Sequence, residues 1–532
     1  MTTSPVRRGR SCVGRGERHG RCPEFDRKKR ISARSSACRP VAGALVAAAL
    51  TLTAAASANA GNWTVTPSVS IYESYTSNAR LNPSGEGSDS DFFTTLVPSL
   101  YVRGDSPRVK LRLDYSLEAI DYLQNTDLNQ IRNNLNFAST LTVVPELLFL
   151  DGAASVQQVP TSGRAATSAS PFASSTNLET VYVYNLSPYV KQHFGNFADG
   201  ELRYTFNQVF SGNEGAPSGS GTNTNLSNST TNRVTLTAVS GTEFKRLPWV
   251  VVADGSETSF AGDFSDTSTR LLQANGEYRL DREFGLLGSV GFEKISDPTF
   301  FPESEPDGLI GSVGLKYTPN AHTSLVLNAN HRYNNNFLTG SANVKLGPQT
   351  TLHAGYTDQV FTSSQSQFFN NVSFLTTDEF GNFIDSRTEQ LFSLSRGAFG
   401  VENDAFRDRN FDIGFHAVRG RNTFDADAFY QERNVFSTGE QDTSVGGAIG
   451  WRRQLSRVTD LSVTARYANQ KFEGGTGGDD NQQIFGVGSS LVYHMNDALD
   501  GVLNIYLTRQ LADNPDNEFS EAIVSVGLQK HF

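Results

Sequence analysis

From Asn62 to Phe532 the chain alternates apolar and polar residues with a period of two. Between Val109 and Ala119, one face carries Val109, Leu111, Leu113, Tyr115, Leu117 and Ala119, and the other carries Lys110, Arg112, Asp114, Ser116 and Glu118. Successive strand side chains point to opposite faces, so this is a strand with one greasy and one charged side. The pattern returns in Leu202-Tyr204-Phe206 against Glu201, Arg203, Thr205 and Asn207. It returns in Leu272 to Leu280 against Gln273, Asn275, Glu277 and Arg279, and in Leu461 to Tyr467 against Ser462, Thr464 and Arg466. Amphipathic helices are hard to find.

The strand segments run about 10–14 residues. That exceeds the roughly 5–6 of soluble sheets and matches the roughly 9–11 that cross a bilayer. Connections alternate in length. Short ones fall at 104–107, 281–283, 347–349, 419–422 and 496–499; long ones, rich in Gly, Ser, Asn, Thr and Asp, at 78–91, 158–178, 211–230, 296–307 and 472–480. A soluble sandwich or propeller would bury the apolar faces and use shorter strands. Turning the charged face inward is tolerable only around a wet lumen, and in lipid the sheet must close to satisfy its backbone. The expected fold is an all-β, transmembrane antiparallel β-barrel of about 22 strands (range 18–24), with short periplasmic turns and long extracellular loops.

The first 60 residues read differently. Up to Arg39 they hold twelve Lys/Arg against three acids, and a charge-free apolar run from Val41 to Leu52 leads to Ala58-Asn59-Ala60. Basic region, apolar region and small-x-small site describe a secretory signal peptide spanning 1–60, recognised at Ala58 and Ala60 and cleaved before Gly61. Cys12, Cys22 and Cys38 all lie in it, so the expected mature product has no thiol or disulfide, and its net charge is −19 instead of −10. Over the whole chain only 19% of residues are charged and 37% are hydrophobic, with 36 Phe and 17 Tyr. In a barrel half of each strand faces water, which keeps the hydrophobic share low, and aromatic rings collect at the membrane interfaces.

Both ends of the mature chain carry resemblances. The last strand, Glu521 to Phe532, ends in Phe with a glycine five places before it. It is similar to the C-terminal signal of bacterial outer-membrane barrels, which implies that Gly527, Leu528 and Phe532 are read by the barrel-assembly machinery. Lys530 departs from that pattern, where an aromatic is common. Near the start, the stretch Tyr75 to Gly85, the acids Asp89 and Asp91, Pro98, and Leu113-Asp-Tyr-Ser-Leu-Glu118 resemble a family of outer-membrane β-barrel porins. Members accompany exopolysaccharide and exosortase (PEP-CTERM) systems. The likeness covers residues 70–125, with Ser77 where the family has Asp. It implies a channel or export role, with polysaccharide-export components as partners, and names no catalytic residue.

Charge adds detail. The long loops hold roughly 29 acids against about six Lys/Arg, while the short turns are basic at Arg103, Arg108, Arg282, Arg419 and Arg453. Two readings stand: divalent cations bridge the acidic rim to lipopolysaccharide, or the rim draws cations in and repels polyanions. Inward-facing positions expected to line the lumen mix signs: Lys110, Arg112, Asp114, Glu118, Glu201, Arg203, Arg233, Glu277, Arg279, Lys316, Arg332, Lys345, Asp425, Asp427 and Arg466. They either set up a transverse field or stiffen the wall by cross-strand ion pairs. The loop 361–406 holds nine Phe, more than a solvated loop has reason to carry. It is expected to fold inward, with Phe368, Phe369, Phe374, Phe380 and Phe383 narrowing the pore; an outward glycan- or lipid-binding face is the other option.

Other chemistry is sparse. His193, His322, His331, His353, His416, His494 and His531 are spaced singly, and the acids Asp297, Glu303, Glu305 and Asp307 lack an EF-hand order. No catalytic residue, metal, cofactor or nucleic-acid partner is expected. A TonB-dependent transporter needs a plug of more than a hundred residues, whereas strand signals begin at Asn62. The leading expectation is an outer-membrane channel, passive or linked to exopolysaccharide export. The alternative is a non-conducting structural or adhesive barrel, and a barrel enzyme is remote.

Overall fold

The computed structural model describes residues 61–84, 87–160, 162–168, 170, 173, 177–212, 228–261, 266–297, 307–361, 375–377, 383–385, 390–391, 399, 405–436, 438–474 and 478–532. The expected signal segment, with Ala58 and Ala60, lies outside them. The barrel begins with β1 (Asn62–Thr76), β2 (Asp91–Asp105), β3 (Val109–Tyr122), β4 (Gln130–Val144), β5 (Leu148–Pro160), β6 (Leu178–Phe194) and β7 (Ala198–Gly212). It continues through β8 (Ser229–Ser240), β9 (Trp249–Phe260), β10 (Thr267–Arg279), β11 (Phe284–Ser296), β12 (Asp307–Asn320), β13 (Thr323–Arg332), β14 (Asn335–Gly347) and β15 (Thr350–Phe361). Three short strands, β16 (Leu375–Thr377), β17 (Phe383–Asp385) and β18 (Gln390–Leu391), form a sheet of their own. The barrel resumes with β19 (Phe406–Arg419), β20 (Asn422–Val435), β21 (Gln441–Gln454), β22 (Thr459–Glu473), β23 (Asp480–Asn496), β24 (Leu499–Ala512) and β25 (Phe519–His531).

These make one 22-stranded antiparallel sheet, closed where β1 pairs with β25 from Ser68–His531 to Thr76–Ile523. The fold is thus an all-β closed barrel, and the only helical pieces among the described residues are single 3-10 turns. Closure follows from the pattern: every backbone polar group finds a partner only when no edge is left.

The two rims differ as the sequence implies. At the turn rim connections are short, as at 106–108, 348–349, 420–421 and 497–498; at the loop rim they include 77–90, 161–177, 213–228 and 362–405. One loop-rim connection is as short as a turn. β13 and β14 meet at the loop rim through Tyr333 (φ 54°) and Asn334 (φ 56°) alone. Two left-handed residues make a hairpin turn whose twist suits the strands, at a steric cost for tyrosine. β14 stops pairing with β15 at Gly340–Tyr356, whereas β15 pairs with β19 up to Phe361–Phe406, so the two strands part toward the rim. Tyr333 bridges the gap, its hydroxyl accepting the Val360 N–H at 3.4 Å.

Outside, the wall is bare hydrocarbon: Leu309 is 74% exposed and Val313 70%, and Val290, Ile449 and Val526 are similarly open. Such a continuous apolar face matches hydrocarbon as its solvent, not water. Near the turn rim Phe197, Phe244 and Trp249 pack edge to face, with ring centroids 5.4–6.0 Å apart. Inside, polar side chains are stitched across strands, as in Ser74 to Ser525 at 2.7 Å, Ser187 to Thr205 at 2.8 Å and Ser256 to Thr269 at 2.6 Å. At the closing seam the Tyr72 ring lies over Gly527 and reaches Val502 and Val492, which leaves no room for a Cβ at 527. Of the glycines in β11, Gly285 sits against Glu277 and Gly291 against the β10 backbone, whereas Gly288 has open space.

Candidate functional site

The candidate site is the barrel interior and its mouth at the loop rim. Most of the charged residues named from the pattern sit in short-range pairs. Arg112 bonds Asp114 at 2.9 Å along β3, and Glu118 accepts from Asn134 at 2.7 Å. Arg203 bridges Glu201 (2.9 Å) and Asp151 (2.8 Å) and stacks over Tyr189 at 3.8 Å. Arg233 meets Asp254 at 2.6 Å; Glu277 takes Arg279 at 3.4 Å and Lys316 at 3.0 Å; Arg332 grips Glu293 with two bonds. Asp425 bonds His416 at 2.7 Å. Lys110 and Lys345 are exposed near the turn rim. Arg466 lies against Gly486, and Asp427 Oδ2 is buried without a hydrogen bond among the described residues. Adjacent opposite charges cancel within a few ångströms, so the paired part of the wall is stitched together and carries little free charge.

The histidines are less scattered in space than in sequence. His494 bonds Asp500 at 2.8 Å and Asp460 at 3.0 Å, and His531 bonds the other oxygen of Asp500 at 3.2 Å. Each comes from a different strand end at the turn rim, a convergence that single spacings along the chain do not reveal. The described residues contain no group of three or more His, Cys, Asp or Glu arranged to hold a metal.

The mouth is organised by loops. In 77–90, Arg80 takes both oxygens of Asp127 (2.7 and 2.8 Å), Asn125 at 3.0 Å and Asp89 at 3.2 Å. The hydrogen bonds from Arg80 hold the Asp127 carboxyl below its ordinary range, and Asp127 in turn raises Arg80. Asp91 at the start of β2 accepts from the Asn125 N–H at 2.8 Å and its amide at 3.0 Å, and Asn78 donates to Asn82 and Ser520 carbonyls. Asn78, Arg80, Asp89 and Asp91 thus fasten this loop to its neighbours.

The described part of 162–177 reaches farther. Asn177 ties its base, accepting from the Ser162 N–H at 3.0 Å and donating to Ser162, Ala165 and Thr167. Arg164 then bonds Glu440 at 2.6 Å and the Gly478 carbonyl at 2.6 Å, and stacks over Phe472 at 4.6 Å. Its own carbonyl accepts from Gln482, while Ser168 donates to Glu521 and Ala173 accepts from Arg132. Ala173 and Ala79 cap an inward apolar cluster of Phe93, Ile120, Tyr122, Leu128, Tyr506 and Ile523. Sequence reasoning placed a long loop at 158–178 but missed its fastening role, whose only signal was an arginine and an asparagine in an Ala/Ser/Thr tract.

Of the expected constriction residues, Phe368, Phe369, Phe374 and Phe380 lie outside the described residues, and Phe383 is described only as backbone in β17. From the same loop, Phe399 is buried edge-on to Phe472 at 6.2 Å, beneath Arg433 at 5.0 Å. Arg433 is itself paired with Asp442 at 2.5 Å. Two loops therefore converge on Phe472. At the C-terminus, Leu528 points outward and Phe532 is exposed, with Lys530 5.8 Å over its ring.

No protein-family profile and no curated protein match the chain. Among solved structures it is similar to the siderophore receptor PirA from Acinetobacter baumannii, at 10% identity over 88% of this chain and 80% of that one, with a TM-score of 0.49. It is similar to the FrpB iron transporter from Neisseria meningitidis (9% identity, 88% and 81%, TM-score 0.46) and to OccAB3 from Acinetobacter baumannii (11%, 88% and 99%, TM-score 0.33).

Proposed function

We propose that the chain is an outer-membrane channel, inserted by the barrel-assembly machinery and surrounded by lipid and lipopolysaccharide. The observation that carries this reading is one closed ring, apolar and exposed outside, polar inside. A sheet with those faces suits hydrocarbon around it and water within it. On the resemblance of residues 70–125, the channel serves exopolysaccharide export, with export components as partners. Acidic loops at the outer rim suit divalent cations shared with neighbouring lipopolysaccharide. The charged wall residues and the phenylalanines at 368, 369, 374, 380 and 383 belong to this reading as lumen lining and constriction.

The test is planar-bilayer recording of the purified chain. Discrete single-channel currents are expected, and deletion of 365–400 should raise conductance. A second reading is favoured by the loops packed across the mouth: a structural or surface-binding barrel that conducts nothing. A silent barrel, correctly folded by heat-modifiable gel migration, would establish that second reading.

A further inference from the structure

The inner wall is not uniform around the ring. On β1, β2, β23 and β25, inward side chains are shut away from solvent, with Thr76, Thr95, Gln482 and Ser525 each 0% exposed. On β10 to β14 they stay open: Gln273, Asn275 and Asn328 are half-buried, and Ser341 and Asn343 are exposed. The middle of the β10–β14 wall is therefore open to the interior, although Thr267, Glu293, Ile295 and Ile310 toward its loop rim are buried.

That side has a distinct chemistry. The register places Asn275 beside Ser289, Ser289 beside Ser312 and Ser312 beside Asn330 across four strands. In the next rows Gln273 is opposite Gly291 and Gly314 opposite Asn328. A Cβ at Gly291 would come 2.5 Å from the Leu272 carbonyl, so the wall beside Gln273 stays low. Ion pairs flank this wall: Arg233–Asp254 and Arg332–Glu293 toward the loop rim, and Lys316–Glu277 toward the turn rim, with Asn343 one inward position beyond Lys316. Within it the Ser289 and Ser312 hydroxyls bond each other at 2.7 Å and Asn330 bonds Thr339 at 2.9 Å. The amides of Gln273, Asn275, Asn328 and Asn343 have no partner among the described residues.

A primary amide offers two donors and an acceptor, the complement of a sugar's hydroxyls. Exchange of water for such partners gains only a modest net free energy per bond, which suits a path where a solute must bind and also leave. The bordering cations are already paired, so a polyanion gains little there. We infer that the β10–β14 wall is a binding track for uncharged, polyhydroxylated chains, with Gln273, Asn275, Asn328 and Asn343 as its hydrogen-bonding points. This rests on the channel reading above.

The experiment records single channels of the full chain, purified from membranes, with maltohexaose or hexagalacturonate added to the loop-rim side. Maltohexaose should interrupt the current. The double variant Asn275→Leu/Asn328→Leu should conduct but bind maltohexaose roughly tenfold more weakly, for two lost hydrogen bonds. Gln529→Leu, on β25 across the ring, should block like the parent. Absence of current in the parent overturns the channel reading itself. Current that maltohexaose leaves uninterrupted, blocks equally in the double variant, or that the anionic hexamer blocks better, overturns the track alone.

Discussion

Tyr72 and Gly527 show how much depends on a single missing methyl group. The ring occupies the space a Cβ at 527 would need, so Gly527→Val must displace it from the seam. Overpacking of this kind costs about 1–3 kcal/mol, and the expected result is a lower temperature for the loss of the compact band on gels. Adding Tyr72→Ala should recover part of that loss; if it does not, the clash is not the cause. The sequence marked Gly527 only by its likeness to an assembly signal, because its partner lies at the other end of the chain. Arg80 and Asp127 give a pH-dependent case. The depressed carboxyl contributes stability above its ordinary pKa of 3.8, and that contribution fades as pH falls below 3.8 through the folded value. Arg80, raised above its ordinary value by the hydrogen bonds to Asp127, stays charged throughout. The protection of the amides at 124–128, taken against intrinsic exchange at each pH, should therefore hold from pH 7 to 5 and fall below 3.8; Asp127→Asn should show the low protection at every pH.

Strands were legible because a two-residue period survives any loop variation, and the alternating face decides which side meets lipid. Helical periodicity never competed with it. The ends of elements were harder to read. Ile120 and Tyr122 turn inward at the loop rim although the inward positions below them are polar, since they pack beneath Ala79 and Ala173. Nothing within β3 announces that cover. Likewise the phenylalanines of 361–406 drew attention to one loop, while the segment 161–177 does its fastening with Arg164 and Asn177. Arg164→Ala removes one ion pair, two carbonyl contacts and a ring stack. The loop should open more often, and amide exchange at 162–167 should speed up about tenfold or more, for roughly 1–3 kcal/mol of lost contacts. Channel current through the variant should be larger; unchanged exchange would show that Arg164 is not the fastening.

At the scale of the whole molecule, one seam differs from the other twenty-one. Every other pair of neighbouring strands is also consecutive among the barrel strands, whereas β1 and β25 meet across the full length of the fold. Ser74 and Ser525 touch there at 2.7 Å while 451 positions apart. With the expected signal segment removed, the chain holds no cysteine. Ser74→Cys/Ser525→Cys should then form a cross-strand disulfide, and the oxidised barrel should keep its compact migration after boiling, unlike the reduced one. The same seam sets the kinetics of folding. Joining ends that far apart costs about 5 kcal/mol of chain entropy, and no contact returns it until the last strand arrives. Until then the nascent sheet has two long unpaired edges, each a template for another copy. Ring closure is therefore the slow, aggregation-exposed step, and the chain reaches its native state only as fast as something holds β1 open for β25.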